Sequence, residues 1–122
     1  MSKKIRIAIA DDHAGIRKAV KAQLKELGFD VILECNDGKE LIEKIENSTL
    51  LPDVCILDVN MPNMDGFKTT KAIKAKWAIK IIGISVDEDN KVKMLKNGAD
   101  CFLLKGCPSE ILYQTIFDLV GN

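Results

Sequence analysis

Five short apolar runs alternate with five segments whose apolar residues recur at helical spacing. This alternation constrains the chain more than any other feature. Residues 5–10, 29–35, 53–57, 79–84 and 101–104 read as strands. After the first, Ile16, Ala19, Val20, Leu24 and Leu27 share a helical face that Gly28 closes. After the second, Asn36-Asp37-Gly38 makes a turn, and Leu41, Ile42 and Ile45 stripe a second helix. A loop over residues 61–65 leads into a third helix, 67–77. The fourth helix, 88–97, has a thin apolar face made of Val92 and Leu95. Pro108 opens the fifth, where its missing N–H does no harm, with Ile111, Leu112, Thr115, Ile116 and Leu119 as its buried stripe.

Strands alternating with helices fold as a parallel sheet covered on both faces. The near-continuous apolar runs of the third, fourth and fifth strands agree, since such strands are buried on both sides. Right-handed crossovers leave few topologies. The expected architecture is one α/β domain over residues 1–122, a flavodoxin-like (βα)5 doubly wound parallel sheet of order 2-1-3-4-5.

In such a sheet ligands bind beyond the carboxyl ends of the strands. The first strand ends in Asp11-Asp12, the third in Asp58, the fourth in Ser85 and the fifth in Lys105. In the order 2-1-3-4-5 these four strands are neighbours, so carboxylates, a hydroxyl and an ammonium converge on one edge. Crowded carboxylates repel one another, and at least one pKa rises unless a cation is present. Lys105 supplies one positive charge, and an all-oxygen donor set suits Mg²⁺, which completes its octahedron with water and phosphate oxygens. A carboxylate nucleophile, a metal, a Lys and a hydroxyl together make a phosphoryl-transfer site.

Composition removes other classes. The chain has 122 residues, 47% of them hydrophobic, with 18 Lys plus Arg against 18 Asp plus Glu. A zero net charge argues against a broad nucleic-acid footprint. No apolar run approaches the ~20 residues of a membrane span. The first residues carry no signal-peptide core, so the chain is expected to be cytoplasmic. Cys35, Cys55, Cys101 and Cys107 form no CxxC pair, and one His is present, so zinc and dithiol readings are weak. The cysteines are expected to be reduced, small core residues.

The motifs "IADDH" at 9–13, "ILDVNMPNMDG" at 56–66, "GIS" at 83–85 and "GADCFLLK" at 98–105 stand in order along nearly the whole chain. In these blocks the sequence resembles the receiver domain of bacterial two-component response regulators. Its "DDH" and "GADCFLLK" look most like receivers of the NarL/FixJ type. The resemblance implies that Asp58 accepts a phosphoryl group from a sensor histidine kinase in a Mg²⁺-dependent reaction. It implies direct contacts from Asp12, Asp58 and the Asn60 carbonyl to the metal, with Asp11 acting largely through water. Ser85 matches the switch hydroxyl, Lys105 the family's Lys, Phe102 the aromatic that rotates between states, and Gly66 the turn before the third helix. The face made by the fourth helix, fifth strand and fifth helix would then change on phosphorylation. Such a receiver turns over no metabolite, although it catalyses its own phosphorylation and dephosphorylation. The resemblance implies no nucleic acid or membrane bound by the domain itself. Two outputs stay open: the regulatory part of a transcriptional regulator, which could pair with a second copy on phosphorylation, or a stand-alone receiver acting by protein–protein binding.

The chain departs from the family pattern at three places. Gly106 follows Lys105 where Pro is common. Phe102 stands where Tyr is common, which removes a hydroxyl. Val86 follows Ser85 where a small residue is common, and is expected to narrow the approach to Asp58. Asp87 is a further candidate for setting the lifetime of the phosphorylated form. Two other functions compete. A haloacid-dehalogenase-type phosphohydrolase needs a second Asp two places after its nucleophile, and position 60 is Asn60. A binding module that never takes phosphate would lack site residues that are present here. His13 is read as a residue of the loop or helix start, and Cys107-Pro108-Ser109-Glu110 as a helix start.

Overall fold

The computed structural model describes residues 4–121. Five strands and five helices alternate: β1 (Arg6–Ala10), α1 (Ala14–Glu26), β2 (Asp30–Cys35), α2 (Gly38–Glu46), β3 (Val54–Asp58), α3 (Gly66–Lys76), β4 (Lys80–Ser85), α4 (Lys91–Lys96), β5 (Cys101–Leu104) and α5 (Ser109–Val120). The strands are parallel and lie in the order β2-β1-β3-β4-β5, as the alternation implies. Among the described residues no helix is long and apolar enough to cross a membrane.

The two faces of the sheet differ in side-chain size, and that difference decides how the helices seat. Ile7, Ile9, Val54, Ile56, Ile82 and Ile84 face one way and pack with Leu24 of α1 and Leu112 and Ile116 of α5. Ala8, Ala10, Cys55, Leu57 and Ile81 face the other and pack with Leu41 and Ile45 of α2, Ile73 of α3 and Met94 of α4. Three helices share the second face, and its smaller residues let them come close. All five residues of β3 are buried, so it is the central post of the sheet. Burial pushes the Cys35 thiol up to about 12 and raises that of Cys55, so both behave as packing atoms rather than nucleophiles.

Three loops at the carboxyl edge are fixed by helix caps. His13 Nδ1 accepts from the Ile16 amide at 3.1 Å, so His13 is the N-cap of α1. Asp37 caps α2 through the Glu40 amide, and Asp65 caps α3 through the Lys68 amide. Gly66 is required where it is, because a Cβ there would lie 2.5 Å from the Asp58 carbonyl oxygen. Its amide donates to the Val59 carbonyl at 2.8 Å and pins α3 to the end of β3.

Some sequence expectations need correcting. The segment expected as one helix over 88–97 is a 3-10 turn, Glu88–Asn90, followed by six residues of α4. Its buried residue is Met94, with no exposed surface, while Val92 is 62% exposed and Leu95 40%. The slot comes from β4: a Cβ on Gly83 would meet Met94 Cε at 2.5 Å, so the glycine admits the flexible thioether and turns that side of α4 inward. In α1, Ala19 is exposed, and in α5 Ile111 is. Strand β5 is at the sheet edge and is not buried on both sides, since Leu104 is exposed.

Met94→Ala should therefore cost about 2–5 kcal/mol, whereas Val92→Ala should stay within about 0.5 kcal/mol. Urea unfolding of both variants followed by circular dichroism checks this, and equal losses would put Val92 back in the core.

Candidate functional site

At the carboxyl edge, β1 runs into Asp11 and Asp12, β3 ends on Asp58, β4 on Ser85, and β5 runs into Lys105. Carboxylate oxygens of Asp11, Asp12 and Asp58 all lie within 4.8 Å of one another. Asp11 and Asp58 are buried, and Asp12 is exposed at the rim. Lys105 Nζ stands 3.2 Å from Asp11 Oδ2 and 3.2 Å from Asp58 Oδ1, so one ammonium bridges the two buried carboxylates. The Lys105 amide donates to the Ser85 carbonyl at 2.9 Å, which holds the ends of β4 and β5 level.

Local contacts position each group. Asp11 Oδ1 accepts from the His13 amide at 2.9 Å, which turns its other oxygen inward. Arg17 Nη1 donates to the Asp11 carbonyl at 2.7 Å and to Asn36 Oδ1 at 3.0 Å, which ties the loop after β1 to the loop after β2. Ser85 is buried, and its Oγ accepts from the Asp87 amide at 3.0 Å and from Asn90 Nδ2 at 2.9 Å. Asn60 is exposed on the turn that leaves β3. On the same loop Asn63 adopts φ 65°, and its Nδ2 donates to Asp37 Oδ2 at 2.8 Å. The Glu40 amide, more than the Asn63 contact, holds the Asp37 carboxyl below its ordinary pKa.

Phe102 lies in the core cluster with Met94 and Ala99, its ring buried. Val86 is 79% exposed beyond β4, so no neighbour packs it down over Asp58. Gly106 has φ +83°, which proline cannot adopt, and the Cys107 amide donates to the Leu104 carbonyl at 3.2 Å across the turn. The turn after Lys105 is therefore a glycine turn of its own kind.

The electrostatics follow from burial. Desolvation first, and then Asp11, raise the Asp58 pKa above the ordinary carboxyl value, and Lys105 offsets part of this. Burial alone would lower the Lys105 pKa, but Asp58 and Asp11 outweigh it and hold the ammonium charged. Three carboxylates against one ammonium leave the pocket short of positive charge. Asp11 Oδ2 shows this directly. It is buried, and although Lys105 sits at ion-pair distance, no group among the described residues gives it a hydrogen bond. A cluster of hard oxygens with one unsatisfied and no soft ligand fits a divalent cation.

Sequence reasoning named Asp11, Asp12, Asp58, Ser85, Asn60 and Lys105, and the structure gathers the strand-end groups at one edge. It missed Arg17 and Asn63, whose partners include residues on other loops, and Asn90, whose partner is Ser85 five positions earlier. Only Asn63 carried a signal, as an Asn in a turn that tolerates positive φ.

Residues 7–117 match the sequence profile of the response regulator receiver domain. The chain is 32% identical over 117 residues to the transcriptional regulatory protein DegU of Brevibacillus brevis, covering 93% of this chain and 49% of DegU. It is 36% identical over 115 residues to the nitrate/nitrite response regulator NarL of Escherichia coli, covering 90% of this chain and 52% of NarL. The chain thus spans about half the length of these relatives. The signal receiver domain of NarL from Mycobacterium tuberculosis superposes with a TM-score of 0.89 at 30% identity, over 99% of this chain and 100% of that one.

Asp58→Asn keeps the shape of the side chain and removes its charge. Burial raises the folded carboxyl above its unfolded value of about 3.9, so the wild type loses stability as pH climbs from there through the folded pKa, and the variant does not. The variant should melt higher than the wild type at pH 7 without divalent cations, and the difference should close as pH falls to about 4. Thermal unfolding across this range decides, and equal melting at both ends would mean that Lys105 fully offsets the burial.

Proposed function

The chain belongs to the receiver-domain family of response regulators, with NarL-type relatives, and from that premise we propose that it is a phosphoacceptor switch of a two-component system. The observation that carries the reading is the pair of 3.2 Å contacts that suspends Lys105 between Asp11 and Asp58, beside a third carboxylate. In this reading an oxygen of Asp58 attacks the phosphorus of a phosphohistidine on a sensor kinase. The new Oδ–P bond forms as the P–N bond breaks, and the imidazole leaves with its electron pair and takes a proton from solvent. Asp11, Asp12, Asp58 and the Asn60 carbonyl would hold Mg²⁺, which would neutralise charge on the incoming phosphoryl group. Lys105 turns from Asp58 toward the phosphoryl oxygens, and the Ser85 hydroxyl donates to another. The chain acts on itself and releases no metabolite, so its role is that of a switch and not an enzyme.

The output reading rests on exposed apolar side chains. Val92 and Leu95 of α4, Leu104 of β5 and Ile111 of α5 are all at least 40% exposed, on consecutive elements beside Ser85 and Lys105. Repacking of Phe102 and α4 around the phosphoryl group would alter this surface. A second copy of the chain or an attached output domain would read it. The transcriptional role of the relatives favours control of a DNA-binding domain, with a separate protein partner as the alternative.

Incubation with Mg²⁺ and acetyl phosphate should add one phosphoryl group by intact-mass spectrometry. The addition should need Mg²⁺ and vanish in Asp58→Asn. No addition, together with no binding of beryllofluoride, would leave a pocket that does not take phosphate. Val86→Ala should leave the lifetime of the phosphorylated form little changed, because the exposed side chain is not held over Asp58. A decay that shifts severalfold would put Val86 back at the approach to Asp58.

A further inference from the structure

The Ser85 hydroxyl is committed on one side only. A hydroxyl has two lone pairs and one proton. The Asp87 amide and Asn90 Nδ2 both donate to Oγ, at 3.0 and 2.9 Å. With both lone pairs occupied, the proton is left to point away from these donors, and among the described residues none accepts it. Ser85 is one residue beyond Ile84, which pairs with Asp58 across β3 and β4, so β4 ends on Ser85 at the same edge as Asp58. Its backbone is fixed as well, since its carbonyl accepts from the Lys105 amide.

Asn90 sits where the 3-10 turn passes into α4. It is the N-cap residue of α4, yet its side chain makes no cap hydrogen bond. The amide is spent on Ser85 instead. The Asn90 backbone is already helical there, with φ −77° and ψ −12°, and Asp87 caps the turn ahead of it, so the side chain is free to bond Ser85.

We propose that Asn90 is the positioning residue for the Ser85 hydroxyl, and that the Asn90–Ser85 contact carries the state of Asp58 into α4. The proposal rests on the phosphoacceptor reading above. By filling a lone pair of Oγ, Asn90 aims the hydroxyl proton at a phosphoryl oxygen. When that proton is donated, Oγ becomes a stronger acceptor and the bond from Asn90 tightens. Lys91 follows directly, so the pull on Asn90 is a pull on the first turn of α4.

The test titrates the full chain in Mg²⁺ with beryllofluoride, a stand-in for the phosphoryl group on Asp58, followed by amide NMR. Wild type, Asn90→Ala, Asn90→Asp, Ser85→Ala and the double variant Ser85→Ala with Asn90→Ala are compared. Asn90→Ala should raise the midpoint about threefold to tenfold, the worth of one neutral hydrogen bond. Asn90→Asp should raise it at least as much, because a carboxylate takes the Ser85 proton for itself. In the Ser85→Ala background the Asn90→Ala change should move the midpoint less than about twofold. Hydrogen exchange of residues 91–96 should respond to beryllofluoride in wild type and not in Asn90→Ala. An equal Asn90→Ala effect in both backgrounds would reduce Asn90 to a structural residue of α4. A wild-type midpoint in Asn90→Asp would mean that an acceptor, not a donor, faces Ser85. Either result overturns the proposal. A wild type that neither binds beryllofluoride nor gains a phosphoryl group overturns the phosphoacceptor reading itself.

Discussion

One ammonium holds the functional edge together. Asp11 and Asp58 are buried carboxylates on adjacent strands, and without Lys105 between them their repulsion would act through a poorly screened interior. The ammonium can reach both only if β5 ends level with β4, which the Lys105 amide secures by bonding the Ser85 carbonyl. It can stay charged only because two carboxylates outweigh its desolvation. One positive charge still does not balance three negative ones, and the unsatisfied Asp11 oxygen records the deficit. The pocket therefore suits a cation, and burial, with Asp11 beside it, raises the Asp58 pKa.

The fold serves this edge by burying β3. Every residue of β3 is buried, and Gly66 brings α3 down onto its last carbonyl where no side chain would fit. On one sheet face isoleucines meet only α1 and α5. On the other, alanines, a cysteine and Gly83 leave room for three helices. A site on so rigid a post is held more tightly than one on a loop.

The strand order and the acidic edge were legible in the sequence because they rest on local signals. Period, apolar runs and the last residue of each run locate the strands and name Asp11, Asp12, Asp58, Ser85 and Lys105 without any long-range information. The face of α4 was not legible. Val92 and Leu95 share a plausible apolar stripe, but Gly83, eleven positions before Met94, opens the slot that selects Met94. The polar tethers were hidden for the same reason. Arg17 meets Asn36, and Asn63 meets Asp37, 26 positions away, so neither pair has a spacing to read. Gly106 was visible as a departure from the family, and only its φ of +83° shows that the turn depends on glycine.

These particulars converge on α4. Six residues are too few to hold a helix by backbone hydrogen bonds alone, since isolated helices shorter than about 12–15 residues are marginal in water. Two anchors make up the difference: Met94 in the slot over Gly83, and Asn90 on the Ser85 hydroxyl. The first is apolar and indifferent to charge in the pocket. The second ends on the Ser85 hydroxyl, at the strand end beside that pocket. In the proposed switch, a change of charge at Asp58 reaches α4 through its polar anchor while the apolar one keeps the helix docked. The exposed Val92 and Leu95 would then move as part of an ordered surface rather than by unfolding. A short helix with unequal anchors would let a small rearrangement at the end of β4 be read on the outside of the domain in the proposed switch.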